Sequence, residues 1–342
     1  MKISFLQPRK FTSLIAAGRP IAAPSAIRIR LGRAIFIFLS LLLVFSACAG
    51  TALQGPSHLP REVAPGAPIS AAVVNQFPSH VSGGGSLRVF SVYSQGGYGY
   101  QVNENLKLGI AGNYEYDNFQ FTGLNFYAPR PWSYINTFGG SFPTLYALND
   151  KWSLLLVPII QVAGEHGADF GRSLIYGGGG AAIYNFGKDR SIGIGVGALN
   201  NLEQASVFPF ILVNWKFNEQ FRLATPYRAG PAGPGGIELS YTPIKDLEVA
   251  LGITYLSKRF RLSQTNDVLT NGIGEYDTIP LFARLSYRIL PVVDVNLYGG
   301  ASLYNYIRVE DSEGGRLFHT HQNVAPFVGI GLSLNLDKFT GG

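Results

Sequence analysis

Residues 247–255 read LEVALGITY, with Leu247, Val249, Leu251, Ile253 and Tyr255 alternating with Glu248, Ala250, Gly252 and Thr254. Residues two apart share one face of an extended strand, so this segment has one apolar face and one that is small or polar. The pattern recurs along the chain. Leu106, Leu108, Ile110, Tyr114 and Tyr116 oppose Lys107, Ala111, Asn113 and Glu115. Val293, Val295 and Leu297 oppose Asp294, Asn296 and Tyr298, and residues 328–337 set Val328, Ile330, Leu332, Leu334 and Leu336 against Gly, Ser, Asn and Asp. In residues 191–198, Ile192, Ile194 and Val196 alternate with glycines. From Leu87 onward no stretch has the 3.6-residue period of an amphipathic helix, and the chain reads as all-β.

The links between strands decide what the apolar faces meet. Short polar turns recur at Asn103-Glu104-Asn105, Asn149-Asp150-Lys151, Gly187-Lys188-Asp189-Arg190, Asn218-Glu219-Gln220, Lys245-Asp246 and Leu290-Pro291. Such turns join antiparallel neighbours as hairpins. The alternate links are longer and more varied, near residues 118–137, 164–172, 200–206, 227–235, 261–277 and 309–323. Short turns at one end and long loops at the other are the arrangement of an up-and-down transmembrane barrel, whereas a soluble sandwich mixes link lengths at both ends. Past residue 50 no apolar run approaches the roughly 18 residues of a spanning helix. Backbone groups in hydrocarbon must be bonded internally, so a membrane protein without such helices must be a closed barrel. Aromatic residues near strand ends, among them Tyr114, Tyr116, Trp152, Tyr184, Phe186, Trp215, Phe217, Tyr255, Tyr304 and Tyr306, fit interfacial girdles.

The first 49 residues read as an export signal. A basic region precedes the apolar run at residues 34–45, which is short for a spanning helix and right for a signal-peptide core. Ala47-Cys48-Ala49 has the small-x-small form of a cleavage site and predicts a mature chain from Gly50. Two alternatives stand beside this: lipidation at Cys48, with residues 45–48 as a lipobox, and an uncleaved anchor. Cys48 is the only cysteine, so cleavage leaves no thiol chemistry. The leader also explains the formal charge of +6: Lys2, Arg9, Lys10, Arg19, Arg28, Arg30 and Arg33 are seven of the 27 basic residues, which leaves 20 against 21 acidic ones. A net charge of −1 in the remainder speaks against nucleic acid as a partner. Residues 50–85, rich in Pro, Gly, Ser and Ala, read as a linker or periplasmic tail, and residues 86–338 as the barrel. Counting alternating segments gives about thirteen strands. A turn at Gln95-Gly96-Gly97 would raise the count to fourteen; if residues 87–102 begin outside the barrel it falls to twelve.

The segment from about 86 to 336 resembles bacterial outer-membrane β-barrel proteins. More narrowly, the polar-turn texture of YQVNENLKLGIAGNYEYDNFQF and YALNDKWSLLLVP resembles an uncharacterised, domain-of-unknown-function family of such barrels. The resemblance implies the outer membrane as location, with its lipid and the barrel-assembly machinery as partners. Many such barrels end on an aromatic that the machinery reads. This chain ends Lys338-Phe339-Thr340-Gly341-Gly342, with Phe339 three residues early.

No set of residues here points to catalysis or to a cofactor. His319-Thr320-His321 puts two imidazoles on one strand face, but zinc sites need three or four ligands and no third lies nearby. His80 and Ser82 fall in the segment read as tail, and Gly177–Gly180 lacks the Lys-Ser/Thr of a phosphate loop. The alternatives to a pore or structural surface barrel are a lipid-acting outer-membrane enzyme and a secreted or lipid-anchored β-sandwich. If the apolar faces meet lipid, Lys107, Asn113, Glu115, Glu248, Arg284, Arg288, Asp294 and Asn296 point into the lumen. Arg284 and Arg288 are then expected to meet carboxylates across it. Both signs of charge are present, so neither anion nor cation selectivity follows.

Overall fold

A computed structural model describes residues 69–124, 130–187 and 189–334. The leader, residues 50–68 and Phe339 lie outside the described residues. Seventeen strand segments form one sheet: β1 (Ile69–His80), β2 (Ser86–Gln101), β3 (Leu106–Thr122), β4 (Tyr134–Ser141), β5 (Thr144–Ala147), β6 (Trp152–Glu165), β7 (Leu174–Gly187), β8 (Arg190–Asn201), β9 (Ala205–Lys216), β10 (Phe221–Ala224), β11 (Gly236–Ile244), β12 (Leu247–Thr254), β13 (Leu256–Arg261), β14 (Ile273–Leu290), β15 (Val293–Glu310), β16 (Arg316–Gln322) and β17 (Ala325–Leu334). Three strands are interrupted. Segments β4 and β5 pair with the same neighbours, as do β12 and β13 with β14, and β16 and β17 with β15. The result is a fourteen-stranded antiparallel barrel in which consecutive strands pair and β1 closes on β17, from Ile69↔Leu334 to Gln76↔Phe327.

The fourteenth strand is β1, which corrects the reading of residues 50–85 as a linker. It pairs on both sides, with β17 and with β2. Its alternation is hidden because both faces carry small or apolar residues: Ala72 and Val74 pack inward, while Ala71 and Val73 lie on the other face. Gln95-Gly96-Gly97 is not a turn, since β2 runs through it in register with β3 from Ser86↔Thr122 to Gln101↔Lys107. An even strand number puts both ends of the described barrel on the side of the short turns.

Three of those turns share one chemical device. Asn103 accepts from the N–H groups of Asn105 and Leu106 (both 2.9 Å), Asn149 from Lys151 and Trp152, and Asn218 from Gln220 (2.9 Å) and Phe221 (2.8 Å). An Asn side chain in place of a backbone carbonyl closes the turn and fixes the register of the hairpin. Four prolines within strands sit where the ladder is already irregular: Pro78, Pro243 and Pro280 lie at register shifts, and Pro158 lies opposite the break between β4 and β5. A residue without an N–H is tolerated there and not in a regular central ladder.

The apolar face of the opening segment faces outward. Leu251 is 62% exposed while Ala250 is 1% exposed, and the same split places Leu285, Leu297 and Ile330 outside and Phe282 and Asn296 inside. Aromatic rings border this belt. Near the short turns Trp152, Tyr184, Phe186 and Trp215 form a chain of ring contacts 4.7–5.2 Å apart across four strands. Toward the other end Tyr114–Phe138 and Tyr304–Tyr306 pair in the same way. An aliphatic belt between aromatic girdles is the outer surface of a transmembrane barrel. The 18 residues of β14 and of β15 exceed the roughly 9–11 that cross a bilayer, so the strands continue beyond it on the loop side. The links there are accordingly shorter than expected, with β16 occupying much of residues 309–323. Leu251→Arg places a charge on the outward belt at a cost of about 2–4 kcal/mol near the midplane. It is expected to abolish the folded, heat-shiftable band on unboiled gels, and Ser257→Arg, at an exposed position nearer the loop end, is expected to retain it.

Candidate functional site: the barrel interior

Three groups of side chains fill the interior, each dictated by which inward positions carry charge, bulk or neither. The first lies along the wall from β11 to β17. Arg284 is fully buried, donates to both oxygens of Glu238, reaches Glu248 at 2.7 Å and donates to Ser286. Ser286 donates to Asn296 at 2.5 Å, and Asn296 to Ser333 at 3.0 Å. Arg288 bonds Asp294 at 3.0 Å and stands 4.0 Å from Asp246. These partners correct the expectation that Arg284 and Arg288 meet carboxylates across the lumen. Glu248 and Asp294 are on the adjacent strands, and Glu238 is one strand further. Neighbouring strands are only about 4.8 Å apart, within reach of a guanidinium that the far wall is not.

Contacts that do cross the interior come from β13. Lys258 donates to Asp117 at 2.7 Å and to Tyr93 at 3.2 Å and pairs with Glu115. Strand β3, which carries Glu115 and Asp117, is separated from β13 in the sheet by β14, β15, β16 with β17, β1 and β2. This is possible because β13, still paired with β14 from Leu256↔Thr278 to Arg261↔Ile273, turns from the side of β11 toward the interior. Its last residue, Arg261, bridges Gly164 of β6. Its end is buried on both sides, with Lys258 and Phe260 turned one way and Arg259 and Arg261 the other. Arg259 donates to the carbonyls of Asn201 (2.9 Å) and Leu202 (3.1 Å) and to Glu275 (2.7 Å), and Arg261 pairs with Glu203 at 2.7 Å. Leu202 and Glu203 both have positive φ, 51° and 63°, in the turn that joins β8 to β9. Non-glycine residues in that region are strained by about 1–2 kcal/mol each. The two arginines hold the turn in that form.

Beyond β13 the loop-end mouth is packed as a protein core. Trp132, Phe119, Phe260, Tyr276, Ile307 and Leu87 are among its buried members, with ring centroids 5.1–6.1 Å apart for the Trp132–Phe260, Phe119–Tyr276 and Phe119–Phe260 pairs. Tyr276 bonds Gln76 (3.0 Å) and Asn305 (3.1 Å) beneath it.

The third group comes from the link between β10 and β11. Residues 225–235, TPYRAGPAGPG, fold into the barrel instead of outward. Ala229 donates its N–H to Ser70 at 3.1 Å and accepts from Tyr298 at 3.4 Å, Arg228 stands 3.6 Å from Glu248, and Ala229 and Ala232 pack with Ala72, Val74, Phe282 and Phe327. Small side chains let a backbone segment fit where bulky ones would collide with the wall.

Of the eight residues expected inside, Glu248, Arg284 and Asn296 belong to one hydrogen-bonded network, Arg288 and Asp294 form a separate pair near a short turn, and Glu115 joins Lys258. Lys107 and Asn113 lie on the same face of β3 as Glu115. Sequence reasoning missed Lys258, Asp117, Glu238, Arg228, Arg259 and Arg261. The available signal was the basic run Lys258-Arg259-Phe260-Arg261 inside a strand, with Glu115 and Asp117 two apart on another. The rings of His319 and His321 meet Tyr306 at a tilt, and His321 also meets Tyr304 edge-on. Among the described residues no group of three or more His, Cys, Asp or Glu is arranged to hold a metal. Removing the buried cation with Arg284→Met leaves Glu238 without its ion-pair partner and Glu248 with Arg228 alone, at about 3–5 kcal/mol. Unfolding of detergent-solubilised protein in denaturant is expected to shift by that amount, and Arg284→Met with Glu238→Gln and Glu248→Gln to recover most of it.

Comparison with solved structures finds likenesses at low identity. The NanC porin matches at 12% identity and TM-score 0.36 over 78% of this chain and 98% of its own. The P. putida toluene transporter TodX matches at 11% and 0.32 over 78% and 88%, and LpxR from Salmonella typhimurium at 10% and 0.30 over 77% and 99%. No curated protein sequence matches. The model of the domain of unknown function DUF6268 matches residues 107–335, two thirds of the chain and the barrel from β3 to β17, and the protein belongs to that family.

Proposed function

We propose that the protein is a bacterial outer-membrane barrel that is sealed at its outer mouth and does not act as an open diffusion pore. The observation that carries this reading is the packed core at the loop end. A passive pore needs a continuous aqueous path, whereas here aromatic and aliphatic side chains from β2, β3, β13, β14 and β15 meet in the mouth. The inward segment 225–235 narrows the opposite half of the interior further down. Outward Leu251, Ile330 and their neighbours suit lipid as the barrel's surroundings, and the leader suits export to the outer membrane. The charged groups inside are spent on one another: Arg284 is matched by Glu238 and Glu248, and Lys258 by Glu115 and Asp117. Such pairs stiffen a filled interior and offer no single-sign ring that would select ions.

Fractionation is expected to place the wild-type protein in the outer membrane, with a band that shifts on boiling. Planar bilayers containing it are expected to show no steady single-channel steps, and deletion of residues 227–234 combined with Phe260→Ala and Trp132→Ala to introduce them. Regular conductance steps from the wild-type protein would overturn the sealed reading.

A further inference from the structure

The wall is incomplete between β9 and β11. Strand β9 pairs with β8 along its length, from Asn200↔Ala205 to Arg190↔Trp215. On its other side β10 meets it only at Asn214, Trp215 and Lys216. Thr225 then caps the ladder, donating its N–H to the Val213 carbonyl (2.8 Å) and accepting from the Val213 N–H (3.0 Å). From Ala205 to Phe210 this edge of β9 has no strand partner among the described residues. On the facing side, Gly236 and Ile237 of β11 pair with β12 alone. The upper end of β9 is tied to the barrel through the bonds from Arg259 and Arg261 to the β8–β9 turn. The two sides are therefore joined below by a four-residue strand and above by two arginine side chains.

The sequence of β9 is suited to an open edge. Val213 directs its backbone groups toward β10, and Lys216 donates to Asp189 on the β8 side, so the odd-numbered residues of β9 face the gap with their N–H and C=O. Pro209 is one of them and has no N–H to leave unbonded. A proline in a strand belongs on an edge that nothing pairs. Residues 205–212 (ASVFPFIL) carry no charge and are apolar on both faces, unlike the alternating strands elsewhere. Outward, Val207 and Ile211 are exposed beside Ile194 and Val196 of β8, which places the gap within the aliphatic belt. Inward, Phe208 and Phe210 lie flat on Gly197 and Gly195, where a Cβ would collide with their rings. Phe208 is still 41% exposed on that inner side, so unfilled space lies behind the gap.

We infer that the gap between β9 and β11 is a lateral window through which the hydrocarbon chain of a membrane lipid enters the barrel interior and lies against Phe208 and Phe210. This rests on the membrane reading above. The window opens onto hydrocarbon, its rim is uncharged, and the outer mouth is packed shut, so the ligand it suits is apolar and arrives from the bilayer.

The test uses the whole wild-type protein folded into phosphatidylcholine vesicles doped with a phospholipid that carries a photoactivatable diazirine near the end of one acyl chain. After illumination, adducts are mapped by mass spectrometry. The expected result is adducts on inward Phe208 or Phe210 as well as on outward Ile194 and Leu251, with none on inward Phe327 across the barrel. Adducts confined to the outward residues would mean the wall is sealed and would overturn the window alone. Equal labelling of Phe327 and Phe208 would mean general penetration and would also overturn it. Absence of adducts on Ile194 and Leu251 would overturn the membrane reading itself, and the window with it.

Discussion

A backbone amide in hydrocarbon has no water to bond, and this requirement governs the architecture. It forces fourteen strands into a ring, brings the small-residue strand β1 against both β2 and β17, and sets Pro78, Pro243 and Pro280 at breaks in the ladder. The unpaired edge of β9 is consistent with the same rule: it carries a proline at a gap-facing position, and the residue that begins the next link, Thr225, caps the last bonds with both backbone and side chain. Barrel closure at that point rests on four residues of β10 and on the guanidinium groups of Arg259 and Arg261.

The interior is asymmetric for a related reason. One half is lined by β1 and by β11 to β17 and is filled by an ionic network and by the inward link 225–235. The other half, lined by β5 to β9, carries mainly glycines, alanines, aliphatic and aromatic residues, with Leu145, Leu155, Ala181 and Ile183 packed together near the short-turn end. Charges were brought inside only with partners, because an unpaired charge away from water costs far more than a paired one. Strand β13 links the two halves. By turning inward it gives Lys258 access to β3 and gives Arg259 and Arg261 access to the β8–β9 turn, while the opening beside β9 comes from β10, which ends at Ala224 after four residues.

Several features were legible in the sequence because they arise from local periodicity. The alternation of residues 247–255 identified the outward face, the Asn-led turns identified the short-link end, and the aromatic positions marked the girdles. Residues 69–80 were not legible, since a strand whose inward face packs against a Gly- and Ala-rich segment needs no polar side and loses its alternation. The links also looked longer than they are, because strands that leave the bilayer exchange outward apolar residues for polar ones and read as loop. For the interior, charge identified which residues turn inward and not whom they meet. Arg284 and Glu238 are 46 positions apart, and Lys258 and Asp117 are 141 apart.

The sequence by itself determined the class of the molecule: extended strands with a period of two, links alternating in length, and no apolar run past residue 50 long enough to span as a helix leave a closed antiparallel barrel as the structure that can sit in lipid. Tertiary structure alone decided what that barrel encloses. The inward turns of residues 225–235 and of β13, the packed mouth and the unpaired edge of β9 depend on contacts between residues distant in the chain. Local periodicity carries no record of such contacts, because any inward small residue satisfies the pattern whether it faces water, a plug or a lipid chain.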